Sequence, residues 1–397
     1  MQAVQITDKI YWVGAIDWDL RNFHGYATSR GSTYNAYLIL DDKVTLIDTV
    51  KAPFKDEMMS RIASVIDPKE ITYIVSNHSE MDHSGSLPQI IKEVSPDKVF
   101  ASTNGVKTLQ DHFHLDYDIT SVKDGEDLNI GSITLSFFET RMIHWPDSMF
   151  TFAEGEGVLF SQDGFGMHLA SSERFDDELD FALLEYEATK YYANILTPFS
   201  QFIAKLLDKM EKLSLPIKLI APDHGPIWRK DIKKIVSLYS KWAEQKPTKK
   251  AVICFDTMWQ STELMAKNIE DGLASKGVDV KLMNLSHSHR SDVATELLNA
   301  GALLIGSPTI NNQIFPTVAD VISYIKGLKF KNLIGAAFGS YGWSGESVKL
   351  IKEHLKEMKV QLIEDEINIK YVPTEEDLVR CQEFGKMIGD KLNKMEI

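Results

Sequence analysis

From residue 250 onward, short apolar runs alternate with stretches of helical spacing, five of each. The runs are "KAVICFD", "DVKLMNL", "ALLIGSP", "NLIGAAFGS" and a shorter one near "QLIEDEI". The helical stretches fall over 262–276, 293–299, 319–326, 347–358 and 375–394. Few architectures accept this pattern. Strands covered on both faces read as continuous apolar runs, and helical crossovers between them predict a doubly wound, five-stranded parallel sheet with right-handed connections.

The chain upstream reads differently. Its strand candidates include "KIYWVGAI", "TYNAYLIL", "KVTLIDTV", "ITYIVSN", "ITLSFFET", "SMFTFAE" and "GVLFSQD". "FKDEMMSRIASVI" interrupts them with helical spacing at Met58, Ile62 and Ile66. Meander strands with interspersed helices predict a layered sandwich of helices and sheets. At 397 residues the chain exceeds what one compact core sustains. The polar stretch "EQKPTKK" at 244–250 is the linker candidate, which predicts domains over 1–248 and 249–397.

Charge and composition exclude several function classes. A net charge of -14 argues against nucleic acid as a partner. The two cysteines, Cys254 and Cys381, offer neither a disulfide framework nor a C-x-x-C redox pair. Apolar runs fall short of the roughly 20 residues of a membrane helix. The N-terminal stretch lacks the basic and apolar regions of a secretory signal. A cytoplasmic setting without membrane contact is the expectation.

Two constellations carry chemistry. In "SNHSEMDHSG", residues 76–85, His78, Glu80, Asp82 and His83 crowd the end of a buried strand. Alternate residues there project to one side, and so many ionisable groups in one volume call for cations. His144 in "TRMIHWPDSM", Asp163 in "GVLFSQDGFG" and His224 in "KLIAPDHGPI" flank later strands. Each alone reads as a core, turn or capping residue. Taken with the H-x-E-x-D-H run, they form a metal-ligand set.

The second constellation lies in three loops at strand ends. In "CFDTMWQSTELMA", the segment Thr257, Met258, Trp259, Gln260, Ser261 and Thr262 brings hydroxyls and amide groups to a helix N-terminus, which suits a phosphate. No Walker loop occurs. "IGSPTINNQIFP" contributes Ser307, Pro308, Thr309, Asn311 and Asn312; "FGSYGWSGES" contributes Ser340, Tyr341, Gly342, Trp343 and Ser344. Loops at neighbouring carboxyl ends of a parallel sheet converge on one crevice. Together they resemble the FMN site of flavodoxins.

The order H-x-E-x-D-H, then His, Asp and His, resembles the metallo-β-lactamase superfamily. Glu80, where its hydrolases carry a second His, is similar to the redox branch: flavodiiron proteins (A-type flavoproteins) of the rubredoxin:oxygen oxidoreductase type. "YYAN", "HWPDSM", "PDHG" and "GSYGWSGES" extend the resemblance along nearly the whole chain. It implies an N-terminal αββα metallo-β-lactamase-like sandwich followed by a flavodoxin-like sheet, and two iron ions per chain. One iron takes His78, Glu80 and His144; the other takes Asp82 and His224, with His83 either a third ligand or swung away; Asp163 bridges them. His24 in "RNFHGY" and Tyr192 in "KYYANI" correspond to residues on the open side of the irons, with Tyr191 beside them. The implied activity is reduction of O2 to water, of NO to N2O, or both. FMN relays the electrons from an external donor such as rubredoxin or a reduced deazaflavin coenzyme. A head-to-tail homodimer, or a dimer of dimers, is implied as well. The alternative is a zinc-dependent hydrolase of the same superfamily with a fused flavodoxin domain; Glu80 and the flavin loops argue against it.

Overall fold

In the computed structural model, which describes residues 1–395, the chain forms two compact units. One comprises Met1–His24, Thr28–Tyr191 and Gln201–Ser240. The other comprises Gly25–Ala27, Tyr192–Ser200 and the chain from Lys241 onward.

The first unit stacks two sheets. The larger has seven strands: Val4–Gln5, Ile10–Trp12, Tyr37–Ile39, Thr45–Ile47, Tyr73–Ser76, Lys98–Ser102 and Ile119–Val122, in that spatial order. From Thr45–Ile47 onward its strands run parallel. The smaller has five: Asp127–Asn129, Thr134–Glu139, Met149–Ala153, Val158–Gln162 and Leu219–Pro222. Only its last pair is parallel.

Strand alternation explains the layering. Tyr37, Ile39, Ile47 and Val75 of the larger sheet meet Leu135, Phe137, Met149, Val158 and Phe160 of the smaller in a dry layer. Full burial of each aliphatic or phenyl side chain there contributes roughly 1.5–3 kcal/mol. The opposite face of the larger sheet, with Leu38, Leu46, Ile74 and Val99, takes Met58 and Ile62 from the helix Lys55–Ile62, and Leu87 and Ile90 from Leu87–Val94. Phe138, Phe150 and Leu159 meet Leu206, Met210 and Leu213 of the helix Ser200–Leu213. The result is the αββα sandwich expected.

The second unit is the predicted doubly wound sheet. Its strand order is Asp279–Asn284, Lys250–Phe255, Ala302–Ile310, Ile334–Tyr341, with Gln361–Leu362 and Ile367–Lys370 both pairing with the last. All these pairings are parallel. The fifth strand is therefore broken in two, matching its weak, acidic run in the sequence. The helices Ser261–Ala274 and Glu375–Leu392 cover one face, packing Met265, Ile269, Phe384 and Ile388 on Ile253, Leu304 and Ala336. They cross at Gly272 and Gly385, where a Cβ on either would strike the other helix's backbone. The helices Arg290–Leu297, Pro316–Leu328 and Glu346–Glu357 contact the same strands. Among the described residues, no helix is long and apolar enough to cross a membrane.

Candidate metal centre and flavin pocket

Every member of the ligand set lies at one edge of the sandwich. The buried strand Tyr73–Ser76 ends just before His78, and Glu80 is again extended. Glu80 then caps a short helix, Met81–Ser84, whose turn carries Asp82 and His83. The strand expected to carry the H-x-E-x-D-H run thus ends at Ser76; a loop presents His78 and Glu80, and a helical turn brings in the other two residues. Asp163 follows the strand Val158–Gln162, and His224 follows Leu219–Pro222. His144 precedes Met149–Ala153, which is antiparallel to Val158–Gln162, so it returns to the same edge.

The donor atoms fall into two groups. Atoms of His78, Glu80, His144 and Asp163 lie within 4.8 Å of one another, as do those of Asp82, His83 and His224. In the first, Asp163 Oδ2 is 3.3 Å from His78 Nε2 and 3.1 Å from His144 Nε2, and Glu80 Oε2 is 3.4 and 3.0 Å from the same nitrogens. In the second, His83 Nε2 is 3.3 Å from Asp82 Oδ1, and His224 Nε2 is 3.2 Å from Asp82 Oδ2. Asp163 Oδ1 reaches both imidazoles, at 3.2 and 3.5 Å. Asp163 therefore offers one oxygen to each group.

These atoms fit metal ions. His78 Nε2, both Asp82 oxygens, His83 Nε2 and Asp163 Oδ1 are buried without a hydrogen-bond partner. Buried polar groups left so are costly unless an ion satisfies them. Octahedral ligands about 2.1 Å from a metal lie about 3 Å from one another, which is the spacing found here.

The remaining imidazole nitrogens are held in place. Burial disfavours ionisation of Asp147, but His78 and Ser79 lower its pKa below the usual carboxylate range. As an acceptor it takes Ser79 N–H at 2.6 Å and faces His78 Nδ1 at 3.2 Å. His224 Nδ1 donates to the Thr33 carbonyl at 2.6 Å. Both contacts put the proton on Nδ1 and leave the Nε2 lone pair facing the donor set. Burial opposes charge on His144 and His83, yet the surrounding carboxylates push them up to about 9 and about 10. The demand for positive charge here is strong, and metal ions answer the same demand.

Around this cluster, His24 Nε2 lies 2.9 Å from Glu80 Oε1. His24's pKa is raised, chiefly by this bond. Glu80 is driven well below its ordinary range: burial opposes this, but His144, His24 and His78 outweigh it. The carboxylate only accepts, so His24 donates. Of the tyrosine pair, Tyr191 faces the cluster. Its ring lies 5.1 Å from His168 and 6.1 Å from His224, and burial and the negative charge of Asp163 hold its phenol well above the usual range. Tyr192, the expected residue, instead puts its hydroxyl 3.2 Å from Ser200 Oγ and its ring 5.2 Å from Trp242. The helix Phe181–Tyr191 ends between the two, and neighbours on a helix point about 100° apart. Sequence reasoning also missed His168, whose ring lies 4.6 Å from His224, tilted at 58°, while Nδ1 meets Ser32 Oγ at 2.8 Å. Burial and His224 keep that imidazole neutral.

In the second unit, the three hydroxyl-rich loops bound one cavity of about 730 Å³. Met258, Trp259 and Ser261 line it from the first loop, and Pro308, Thr309, Asn311 and Asn312 from the second. Ser340, Tyr341, Gly342, Trp343 and Ser344 complete the set from the third. Its volume and its place outside the carboxyl ends of the strands suit a flavin mononucleotide. Trp259 and Trp343 stand 87% and 89% exposed at its rim, apolar rings without a protein surface to cover them. Four expected residues do not line the cavity. Gln260 caps the helix Ser261–Ala274 in left-handed conformation, and Thr262 and Ser307 are buried in bonds to Ser340 Oγ and the Pro308 carbonyl. Thr257 keeps a buried hydroxyl without a partner beside the helix start. Ile310, Tyr371 and Val372 line the cavity unforeseen; the last two follow the broken fifth strand.

Fold and site define a β-lactamase-like sandwich with a dinuclear donor set, carried on one chain with a flavodoxin-like unit. Family models described as ODP family beta lactamase and Flavodoxin match residues 33–225 and 253–385. A nitric oxide reductase of Moorella thermoacetica is 49% identical, over 98% of this chain and 99% of its own length. The structure of rubredoxin oxygen:oxidoreductase from Desulfovibrio gigas is 45% identical and superposes with TM-score 0.97, over 99% of each chain. The flavodiiron protein of Giardia intestinalis is 35% identical with TM-score 0.96, over 99% of this chain and 97% of that one. The chain belongs to the flavodiiron protein family.

Proposed function

We propose that this protein is an oxidoreductase that reduces O2 to water, NO to N2O, or both, at a diiron site supplied with electrons through FMN. The carrying observation is Asp163, whose two oxygens face two separate groups of buried donors. His78, Glu80 and His144 would hold one iron, Asp82, His83 and His224 the other, with Asp163 between them. Two ferrous ions and reduced FMN together supply four electrons, the number O2 takes to become two waters. Glu80 inside the donor set favours iron over zinc, because a hard anionic oxygen suits iron and balances its charge on oxidation. The zinc hydrolase reading is not favoured.

The chain's own residues complete the site. His24 holds a proton at Nε2 against Glu80, and burial with the charge of Asp163 keeps the Tyr191 phenol protonated; both could orient the substrate or supply it a proton. His168, kept neutral, packs beside His224. In the flavin unit, the segment Thr257 to Thr262 would take the phosphate, and the loops 307–312 and 340–344 the ring. The reading assigns residues 1–248 to the iron domain and 249–397 to the FMN domain. It also includes a head-to-tail homodimer or dimer of dimers, a cytoplasmic location, and a separate donor such as rubredoxin or a reduced deazaflavin coenzyme. Metal and flavin analysis of the purified protein is the test. About two irons and one FMN per chain support the reading; zinc at both positions without flavin would overturn it.

A further inference from the structure

We infer that Asp223 is the positioning residue that fixes His83 as a ligand of the second metal. The inference rests on the reading of the second donor group as a metal site. Asp223 is fully buried, and neither of its carboxylate oxygens meets a hydrogen-bond donor in good geometry. Oδ2 lies 3.3 Å from His83 Nδ1, on the side of the ring away from Asp82 and Asp163. Both backbones are pinned: the His83 carbonyl accepts from Thr49 N and Oγ1 at 3.0 and 2.7 Å. Asp223 N donates to the Gln162 carbonyl at 2.8 Å, and its own carbonyl accepts from Asn35 N at 2.7 Å.

The chemistry follows from the two ring nitrogens. Once a metal takes the Nε2 lone pair, the single proton of the neutral imidazole sits on Nδ1, and Asp223 is the acceptor facing it. A ring turned away from the metal would take from Asp223 the imidazole nitrogen that faces it at 3.3 Å. The same device recurs at the first position, where Asp147 Oδ2 faces His78 Nδ1 at 3.2 Å. Each donor group therefore holds one imidazole backed by a buried carboxylate, whereas His224 is backed by the neutral Thr33 carbonyl. A carboxylate partner fixes ring orientation and strengthens donation to the metal. The pairing assigns to Asp223, which binds no metal itself, the choice between a ligating and an idle His83.

A double-mutant cycle tests this. Metal-free protein is titrated with Fe(II) against a chelator, for the parent, Asp223→Ala, His83→Ala and the double variant, with Mössbauer spectra of the loaded proteins. Asp223→Ala is expected to weaken the second iron about 10- to 100-fold, to leave the first within about threefold, and to give the second-site spectrum of His83→Ala. In the His83→Ala background it should add nothing. Equal losses in both backgrounds, or no loss in either, would overturn the inference. Asp223→Asn keeps the shape and one acceptor; should the alanine variant not fold, the same cycle with Asn must show a smaller loss that vanishes without His83. A parent that binds no iron would sink the functional reading itself. A parent with two irons and an additive cycle would sink only the role of Asp223.

Discussion

His78 and Asp147 form a buried pair, Nδ1 to Oδ2 at 3.2 Å, and the same carboxylate oxygen accepts from Ser79 N at 2.6 Å. One side chain thus sets both the tautomer of a ligand and the path of the loop carrying it. Asp147→Ala should weaken iron at the first position about 10- to 100-fold, read by chelator competition. Asp147→Asn should lose less, because its carbonyl still accepts.

His24 touches the donor set through one atom, Nε2 on Glu80, while its side chain is 72% exposed. His24→Ala should keep both metals, by elemental analysis, and lower turnover about 100-fold or more, the usual range for a lost proton donor.

Tyr191 and Tyr192 should separate cleanly. Tyr191→Phe removes the buried hydroxyl near the charge of Asp163 and is expected to slow turnover about 100-fold without loss of metal. Tyr192→Phe removes the bond to Ser200, costing about 1 kcal/mol of stability in denaturant titration while turnover stays within about twofold.

Trp343 is an aromatic ring at the mouth of the flavin cavity, almost wholly uncovered by protein. Trp343→Ala should weaken FMN by about 3- to 10-fold, the worth of one aromatic stacking contact, in fluorescence titration of the flavin-free protein.

Asp41 gives a pH dependence with a definite sign. Burial opposes its ionisation, but bonds from Ser132, Lys9 and Ile133 hold its carboxyl at about 2. Its unfolded-state value is about 3.9. The stability it contributes is therefore complete above about pH 4 and is lost as the pH falls through about 2. Asp41→Asn should be less stable than the parent at pH 7, and the gap should close between pH 4 and pH 2 in denaturant titrations.

Much of this was legible because period and chemistry coincide. The strand Lys250–Phe255 and the helix Glu375–Leu392 fall within a few residues of the sequence reading, since apolar periodicity marks whatever faces a core. The metal ligands were legible because they sit at the ends of apolar runs. Asp147 and Asp223 were not, because a carboxylate that positions a ligand looks in sequence like any turn residue. The choice between Tyr191 and Tyr192 needs the phase of the helix, which adjacent identical residues cannot reveal. Tyr371 and Val372 were missed because the fifth strand breaks after Gln361–Leu362, and its second half, Ile367–Lys370, alternates over only four residues.

The most direct test is a single turnover. The iron- and FMN-loaded protein, fully reduced without oxygen, is mixed with limiting O2 and, separately, with NO; oxidation of FMN, hydrogen peroxide and N2O are measured. The account predicts four electrons withdrawn per O2 with no peroxide released, or two electrons and one N2O per two NO. Persistently reduced protein with both gases, or one peroxide per O2 consumed and no N2O, would contradict it.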